Sequence, residues 1–228
     1  GSARPCVRDD ARGSSRAEVG MSFESVRAVY FDLDDTLCGY WDASKAGLRQ
    51  TFADNPIPNV DPETVYRTWA TAFRAFASVL KDTGWYDTYL KEGGPTRTEQ
   101  MRRMLALLDI EDESLALCLS EDYLRNRDAN LKLFDDAIET LDALHAHFPL
   151  GLITNGPADI QRMEIATLGV NNYFRAILIE GEMGEGKPKP SVFRLAESLM
   201  SCQPHEILMV GNSYGHDVRA AKIGRAHV

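Results

Sequence analysis

The chain has 228 residues, 44% of them hydrophobic and 26% charged, with 34 acidic against 25 basic side chains and a formal net charge of -9. Such a composition can bury a real core and excludes collagen-like, low-complexity and disulfide-scaffold classes. The acidic balance argues against nucleic-acid or anionic-membrane partners, both of which need a basic face; a small anionic ligand needs only a local cation or a metal.

Residues 1–21 contain Arg4, Arg8, Arg12 and Arg16 but no apolar run. They lack the hydrophobic core of a secretory signal and are expected to be a disordered tail or a remnant of cloning, with Met21 a native start. The first strand is expected at 26–31, VRAVYF, ending in Asp32-Leu33-Asp34-Asp35-Thr36. From 42 to 131 no strand pattern occurs. Apolar stripes at helical spacing occur instead: Val65, Trp69, Phe73, Phe76 and Leu80, then Met101, Met104, Leu105 and Leu108, then Leu115, Leu119 and Leu124. Asn55-Pro56 and Gly93-Gly94-Pro95 interrupt them. A segment this long is no loop. It is expected to form a second, helical domain over the strand ends, leaving 22–41 and 132–228 as the core.

Three more apolar runs follow, PLGLIT at 149–154, FRAILI at 174–179 and EILMVG at 206–211. Helical stripes lie between them, Ala137, Ile138, Leu141 and Leu144, then Ile165 and Leu168, then Phe193, Leu195, Ala196 and Leu199. Strands alternating with helices predict an α/β fold with a Rossmann-like parallel sheet. Ligands of such sheets sit beyond the carboxyl ends of the strands, where this chain's polar clusters lie.

No run of about 18 apolar residues occurs, so no membrane-spanning helix is expected. Cys6, Cys38, Cys118 and Cys202 have neither zinc-ligand nor small-disulfide spacing and read as reduced thiols, consistent with a cytoplasmic location.

The clusters at the strand ends carry the chemistry. Asp32 and Asp34, two apart past a strand, can converge on one cation or one phosphorus centre, one attacking and the other moving a proton; equally, Asp and Thr are common in polar turns. Thr154-Asn155-Gly156 offers a hydroxyl and backbone N–H groups for an anion, or simply caps a helix. Lys187, between Gly186 and Pro188, is either a fixed cation or part of a solvated loop, with Lys189 the more solvated of the two. Asn212 and Asp217 bracket a turn that could complete an oxygen-ligand site for Mg²⁺ or begin a helix. In the helical segment, Trp69 reads as core. Trp85, Tyr86 and Tyr89 are weaker candidates for substrate contact, and Tyr40 and Trp41 for the entrance. Arg97, Arg102 and Arg103 read as a solvated face. His216 reads as a polar loop residue.

In this order and placement, Asp32, Asp34 and Thr36, then Thr154, then Lys187, then Asn212 and Asp217 resemble the motifs of the haloacid dehalogenase-like hydrolase superfamily across most of residues 26–224. The stretch from Thr154 to Phe193 looks like its nucleotidase and acylneuraminate-phosphate phosphatase branch. The resemblance implies a phosphatase in which Asp32 is the nucleophile, forming an aspartyl-phosphate, and Asp34 the acid/base. Thr154 and Lys187 would hold phosphoryl oxygens, helped by Thr36, Asn155 and Gly156. Mg²⁺ would be held by Asp32, the Asp34 carbonyl, Asn212 and Asp217, and the helical segment would be a cap reading the leaving group.

The family commonly has Asp where this chain has Asn212, so one negative charge is lost and weaker metal affinity is expected. Family members continue past Gly224 into another strand, so an exposed or partner-paired sheet edge is expected, with a monomer and a homodimer both open. The expected substrate is a small phosphorylated metabolite, such as a nucleotide or sugar phosphate. Two rivals share the fold: a haloacid dehalogenase, against which Asp34 argues because a leaving halide needs no proton, and a catalytically weakened regulatory or binding member.

Overall fold

The computed structural model describes residues 23–219 and 221. The expectations for residues 1–21 and for the extreme C-terminus lie outside the described residues. Four short strands, β1 (Ala28–Phe31), β2 (Leu150–Thr154), β3 (Phe174–Ile179) and β4 (Ile207–Val210), form one sheet in the order β3-β2-β1-β4. All neighbours run parallel, with Val29 opposite Leu150 on one side of β1 and Leu208 on the other. Every residue of β1 and β2 is buried, because the central strands of a parallel sheet are covered on both faces.

The side-chain alternation of β1 sorts the core into two layers. Val29 and Phe31 pack with Leu150, Leu152, Leu141 and Ile165, under α6 (Ala137–His145) and α7 (Ala158–Thr167). Ala28 and Tyr30 face the other way, onto Ile153 and onto Val192, Phe193, Ala196 and Met200 of α9 (Pro190–Met200). The apolar stripes need correction in detail. Ile138, Leu195 and Leu199 are exposed, and the buried face of α9 is shifted to Val192 and Met200. A sheet covers only a narrow strip of an 11-residue helix, and periodicity alone does not say which of two overlapping stripes meets it.

Between β1 and α6 the chain makes five α-helices: α1 (Tyr40–Asp54), α2 (Pro62–Val79), α3 (Trp85–Lys91), α4 (Gly93–Ala106) and α5 (Glu113–Asn130). Asp61 and Asp112 cap α2 and α5, each accepting the N–H three residues on. These helices bury a cluster of their own, including Leu48, Phe52, Val65, Trp69, Met101, Met104 and Leu119. α1 and α5 approach closely at Gly47, where a Cβ would stand 2.6 Å from the Arg127 backbone nitrogen. Two tethers join this layer to the strand ends. Gly93 N–H donates to Asp159 Oδ1 at 3.0 Å, and Tyr86 Oη donates to Glu180 Oε1 at 2.7 Å. Glu180 begins the short helix α8 (Glu180–Met183) directly after β3. No helix among the described residues is long and apolar enough to cross a membrane.

Candidate active site

The carboxyl ends of β1, β2 and β4 open into a cavity of about 650 Å³, closed on its far side by the five-helix layer. Asp32, Asp34 and Asp35 reach it from β1, Asn155 and Gly156 from β2, Lys187 from the loop after α8, and Asn212, Ser213, His216 and Asp217 from β4. The short strands explain this convergence. Parallel pairing in register ends all three at one level, so the residues just past each strand become neighbours.

Lys187 sits at the centre. Its Nζ lies 2.6 Å from Asp32 Oδ1 and 2.7 Å from Asp217 Oδ1, with all three side chains buried. Removing the lysine would leave two enclosed carboxylates without a counter-charge, a change of a kind that typically costs about 3–5 kcal/mol. Its loop is clamped by Asn155, which donates through Nδ2 to the Lys187 carbonyl at 2.7 Å and accepts the Lys187 N–H at 2.8 Å. Lys189 is exposed. Asp217 Oδ2 accepts the Ser213 N–H at 2.9 Å, and Gly211 lies so close beneath that a Cβ there would stand 2.4 Å from the Asp217 carboxyl. Asp217 thus faces the Lys187 ammonium with Oδ1 and the Ser213 N–H with Oδ2.

The electrostatics separate the two aspartates. Burial pushes the Asp32 carboxyl up, the Lys187 ammonium opposing and the Asp217 charge reinforcing. Asp34 is pushed up to about 7 by burial and then by the Asp32 charge. One oxygen of Asp34, Oδ1, is enclosed with no hydrogen-bond partner; the other, Oδ2, accepts from Gln161 Nε2 at 3.1 Å. Asp35 adopts a left-handed conformation, φ 58°, and accepts the Trp41 N–H at 3.1 Å, so it shapes the turn into α1.

Two expected phosphate contacts sit behind the cavity wall. Thr36 Oγ1 donates to Asp32 Oδ2 at 3.3 Å and accepts the Asn212 N–H at 3.0 Å, joining the β1 and β4 loops. Thr154 is fully buried and donates to Gln161 Oε1 at 2.7 Å. Gln161, one turn into α7, thus links Thr154, Asp34 and Glu164, the last at 3.0 Å. Glu164 in turn lies 3.0 Å from the Arg127 guanidinium, which also pairs with Asp128. Neither Gln161 nor Arg127 carries a motif. For Gln161 the sequence offers one signal, a polar pair with Glu164 at helical spacing beside the apolar Ile160 and Ile165.

The helical wall contributes Tyr40, Trp41, Trp69, Phe73, Tyr89 and Tyr123, with Arg97 and Arg127. Tyr40, Trp41 and Tyr89 thus lie where the sequence suggests, whereas Trp85 and Tyr86 do not line the cavity; Tyr86 is taken by Glu180. Trp69 is both core and wall. Arg102 and Arg103 pair with Glu99 on the surface, as a solvated face would, but Arg97 is half-buried. His216 lines the cavity and pairs through Nδ1 with Ser213 Oγ at 3.0 Å.

The carboxylates of Asp32, Asp34 and Asp217 and the Asn212 side-chain carbonyl are oxygen ligands, the type that hard divalent cations prefer. Among the described residues no group of three or more His, Cys, Asp and Glu side chains is arranged to hold a metal. A cation there would have to draw on the Asp34 carbonyl and the Asn212 amide as well as carboxylate oxygens.

Comparison with known proteins agrees with this architecture. Mouse N-acylneuraminate-9-phosphatase is 28% identical over 209 residues, covering 87% of this chain and 79% of that protein. A phosphoserine phosphatase of Thermus thermophilus is 37% identical over 106 residues, 46% of this chain; the match spans only 42% of that protein. Among solved structures, the putative HAD-hydrolase YfnB of Bacillus subtilis, bound to magnesium, superposes with a TM-score of 0.66 at 20% identity, covering 88% of this chain and 84% of that one. The profile of the haloacid dehalogenase-like hydrolases matches residues 26–224, and the chain belongs to that hydrolase family.

Proposed function

We propose that the protein is a Mg²⁺-dependent phosphomonoesterase that acts on a small phosphorylated metabolite through an aspartyl-phosphate. The observation that carries this reading is the Lys187 ammonium held between Asp32 and Asp217, beside an Asp34 carboxyl pushed up to about 7. Two neighbouring acids with different proton affinities are what nucleophilic attack and leaving-group protonation require. Curated relatives named as phosphatases support the same class, among them glyceraldehyde 3-phosphate phosphatase of Methanopyrus kandleri, 27% identical over 201 residues.

Asp32 attacks the phosphorus. Lys187 neutralises phosphoryl charge and keeps Asp32 ionised, and Asp217 fixes the lysine. Thr36 holds the second Asp32 oxygen, orienting the nucleophile. Asp34, protonated, gives its proton to the leaving oxygen; ionised, it takes one from the water that hydrolyses the acyl-phosphate. Gln161 fixes the Asp34 rotamer and is itself fixed by Thr154. Backbone groups of Asn155 and Gly156 line the place where phosphoryl oxygens would lie.

The strand-end residues fit Mg²⁺. Three aspartates face a single lysine, and Asp34 Oδ1 is enclosed without a partner. Asp32, the Asp34 carbonyl and Asn212 would hold the ion, with Asp217 completing the anionic surround. When bound, Mg²⁺ offsets the repulsion between the nucleophile and the phosphate dianion. Residues 42–131 act in this reading as a cap over a core of 22–41 and 132–228, excluding water and contacting the leaving group.

The test is phosphate release from a panel of phosphomonoesters with Mg²⁺, with chelator, and with Asp32→Asn. Release that needs both metal and Asp32 is expected. Wild-type rates in Asp32→Asn, or metal-independent halide release from haloacids without phosphate release, would overturn the reading.

A further inference from the structure

We propose that the cavity is built for a phosphomonoester whose leaving group carries a carboxylate, and that Arg97 binds that carboxylate. The inference rests on the phosphatase reading above and specifies its substrate.

The two walls of the cavity differ in charge. The strand-end wall holds four aspartates and Lys187; the helical wall holds Arg97 and Arg127 and no acid. Arg127 is already compensated by Glu164 and Asp128. Arg97 is not. Its Nε donates to the Ser120 carbonyl at 3.2 Å, which fixes the side chain, while its two Nη groups have no hydrogen-bond acceptor and no carboxylate within 4.0 Å among the described residues. Asp159 acts on Arg97 through its charge without forming an ion pair, and its Oδ1 accepts the Gly93 and Ile160 N–H groups.

The position of Arg97 is tied to the site. It stands one turn into α4, and its Nη1 lies 3.4 Å from where a Gly93 Cβ would be. Gly93 is the residue anchored to Asp159 at the start of α7, four residues past Asn155. The guanidinium is therefore held over the junction between the helical layer and the β2 loop. Lining the same cavity, Trp69 Nε1 is a buried donor with no acceptor.

The helical wall thus offers unused donors on a guanidinium that forms no ion pair, and the tyrosines and tryptophans around them supply apolar contact. A guanidinium with its fork open is geometrically matched to a carboxylate. One net charge suits a monoanion better than a second phosphate. With the phosphoryl group at Asp32 and Lys187, the remainder of the substrate has to face this wall.

The experiment compares 3-phosphoglycerate with glycerol 3-phosphate, which differ in a carboxylate against a hydroxymethyl group, using kcat/KM with Mg²⁺ and p-nitrophenyl phosphate as a reference. Wild type is expected to prefer the carboxylate by about tenfold or more, the scale of a charge-assisted hydrogen-bonded pair. Arg97→Gln should reduce that ratio to about threefold or less, chiefly through KM, and Arg97→Lys should keep part of it. Loss of the Ser120 contact alone would slow both substrates together and leave the ratio intact. A wild-type ratio below tenfold, a ratio that survives in Arg97→Gln, or turnover of p-nitrophenyl phosphate alone would overturn the carboxylate assignment and leave the phosphatase reading standing. Hydrolysis of none of the three esters would overturn both.

Discussion

Replacing Gln161 by methionine tests whether the buried side-chain chain behind the nucleophile loop sets catalysis or only packing. Met fills a similar volume with no donor or acceptor. The substitution removes three hydrogen bonds at once: from Thr154 at 2.7 Å, to Glu164 at 3.0 Å and to Asp34 at 3.1 Å. Thr154 and Glu164 have no solvent exposure, so neither can turn to water. Leaving a buried polar group unpaired costs about 1–3 kcal/mol. Asp34 and Glu164 both have raised proton affinity, so protonation of either offsets part of the loss. A net loss of about 3 kcal/mol is expected, which for a chain of this size lowers Tm by about 6–12 °C. Asp34 also loses the one side-chain hydrogen-bond partner it has among the described residues, and a displacement of about 1 Å costs on the order of 100-fold in rate. Thermal unfolding followed by circular dichroism gives the first quantity. Steady-state kinetics on an alkyl phosphate gives the second, expected as a fall in kcat of about 10–100-fold with KM nearly constant. A Tm within about 1 °C of wild type would refute the hydrogen-bond network. A lowered Tm with wild-type kcat would show that Gln161 does not position Asp34.

Other perturbations test other joints. Gly47→Ala in the middle of α1 should stabilise by about 1 kcal/mol on helix propensity alone. With the Arg127 backbone 2.6 Å from the new Cβ it should instead destabilise by about 1–3 kcal/mol, so the sign of the Tm change decides whether α1 and α5 really touch there. Gly84→Ala, where no atom lies within 4 Å, should leave Tm nearly unchanged. Tyr86→Phe breaks the 2.7 Å tether to Glu180 and should lower stability by about 1 kcal/mol; equal hydrogen exchange across residues 80–95 in the two proteins would argue against the tether. The Thr64 hydroxyl and N–H hold the Asp61 carboxyl below its ordinary value of 3.8. Its contribution is present above the unfolded-state pKa and is lost as pH falls through the folded value, so Asp61→Asn should flatten the Tm-against-pH curve in that acid range.

Much of the α/β core is legible in the amino-acid sequence. The four strands appear where VRAVYF, PLGLIT, FRAILI and EILMVG stand, because parallel strands covered on both faces must be nearly continuous apolar runs, and such runs are visible locally. Asp32, Asp34, Lys187, Asn212 and Asp217 are legible for a related reason: each lies in a loop beyond a strand, and a parallel register brings those loops together. Their roles, and those of the threonines, are less legible. Motif position suggests phosphate contacts for Thr154 and Thr36, but Thr154 turns inward to Gln161 and Thr36 bridges Asp32 and Asn212. A hydroxyl can face either way from a strand end, and its partners lie 7 and 176 residues away in the chain. The pairing of Asp217 with Lys187 is hidden in the same way. Arg102 and Arg103 find Glu99 one turn back on α4, a pairing visible in the sequence, whereas Arg97 has no acid three or four residues away and its Nε is held by the Ser120 carbonyl of α5. Composition, periodicity and spacing by themselves determined which elements form and which residues sit at their ends, since those depend on local burial and turn chemistry. Which acids face Lys187, and that Glu164 faces Arg127, was decided by tertiary contacts, because the energy of a charge depends on what stands within a few ångströms of it, whatever the distance along the chain.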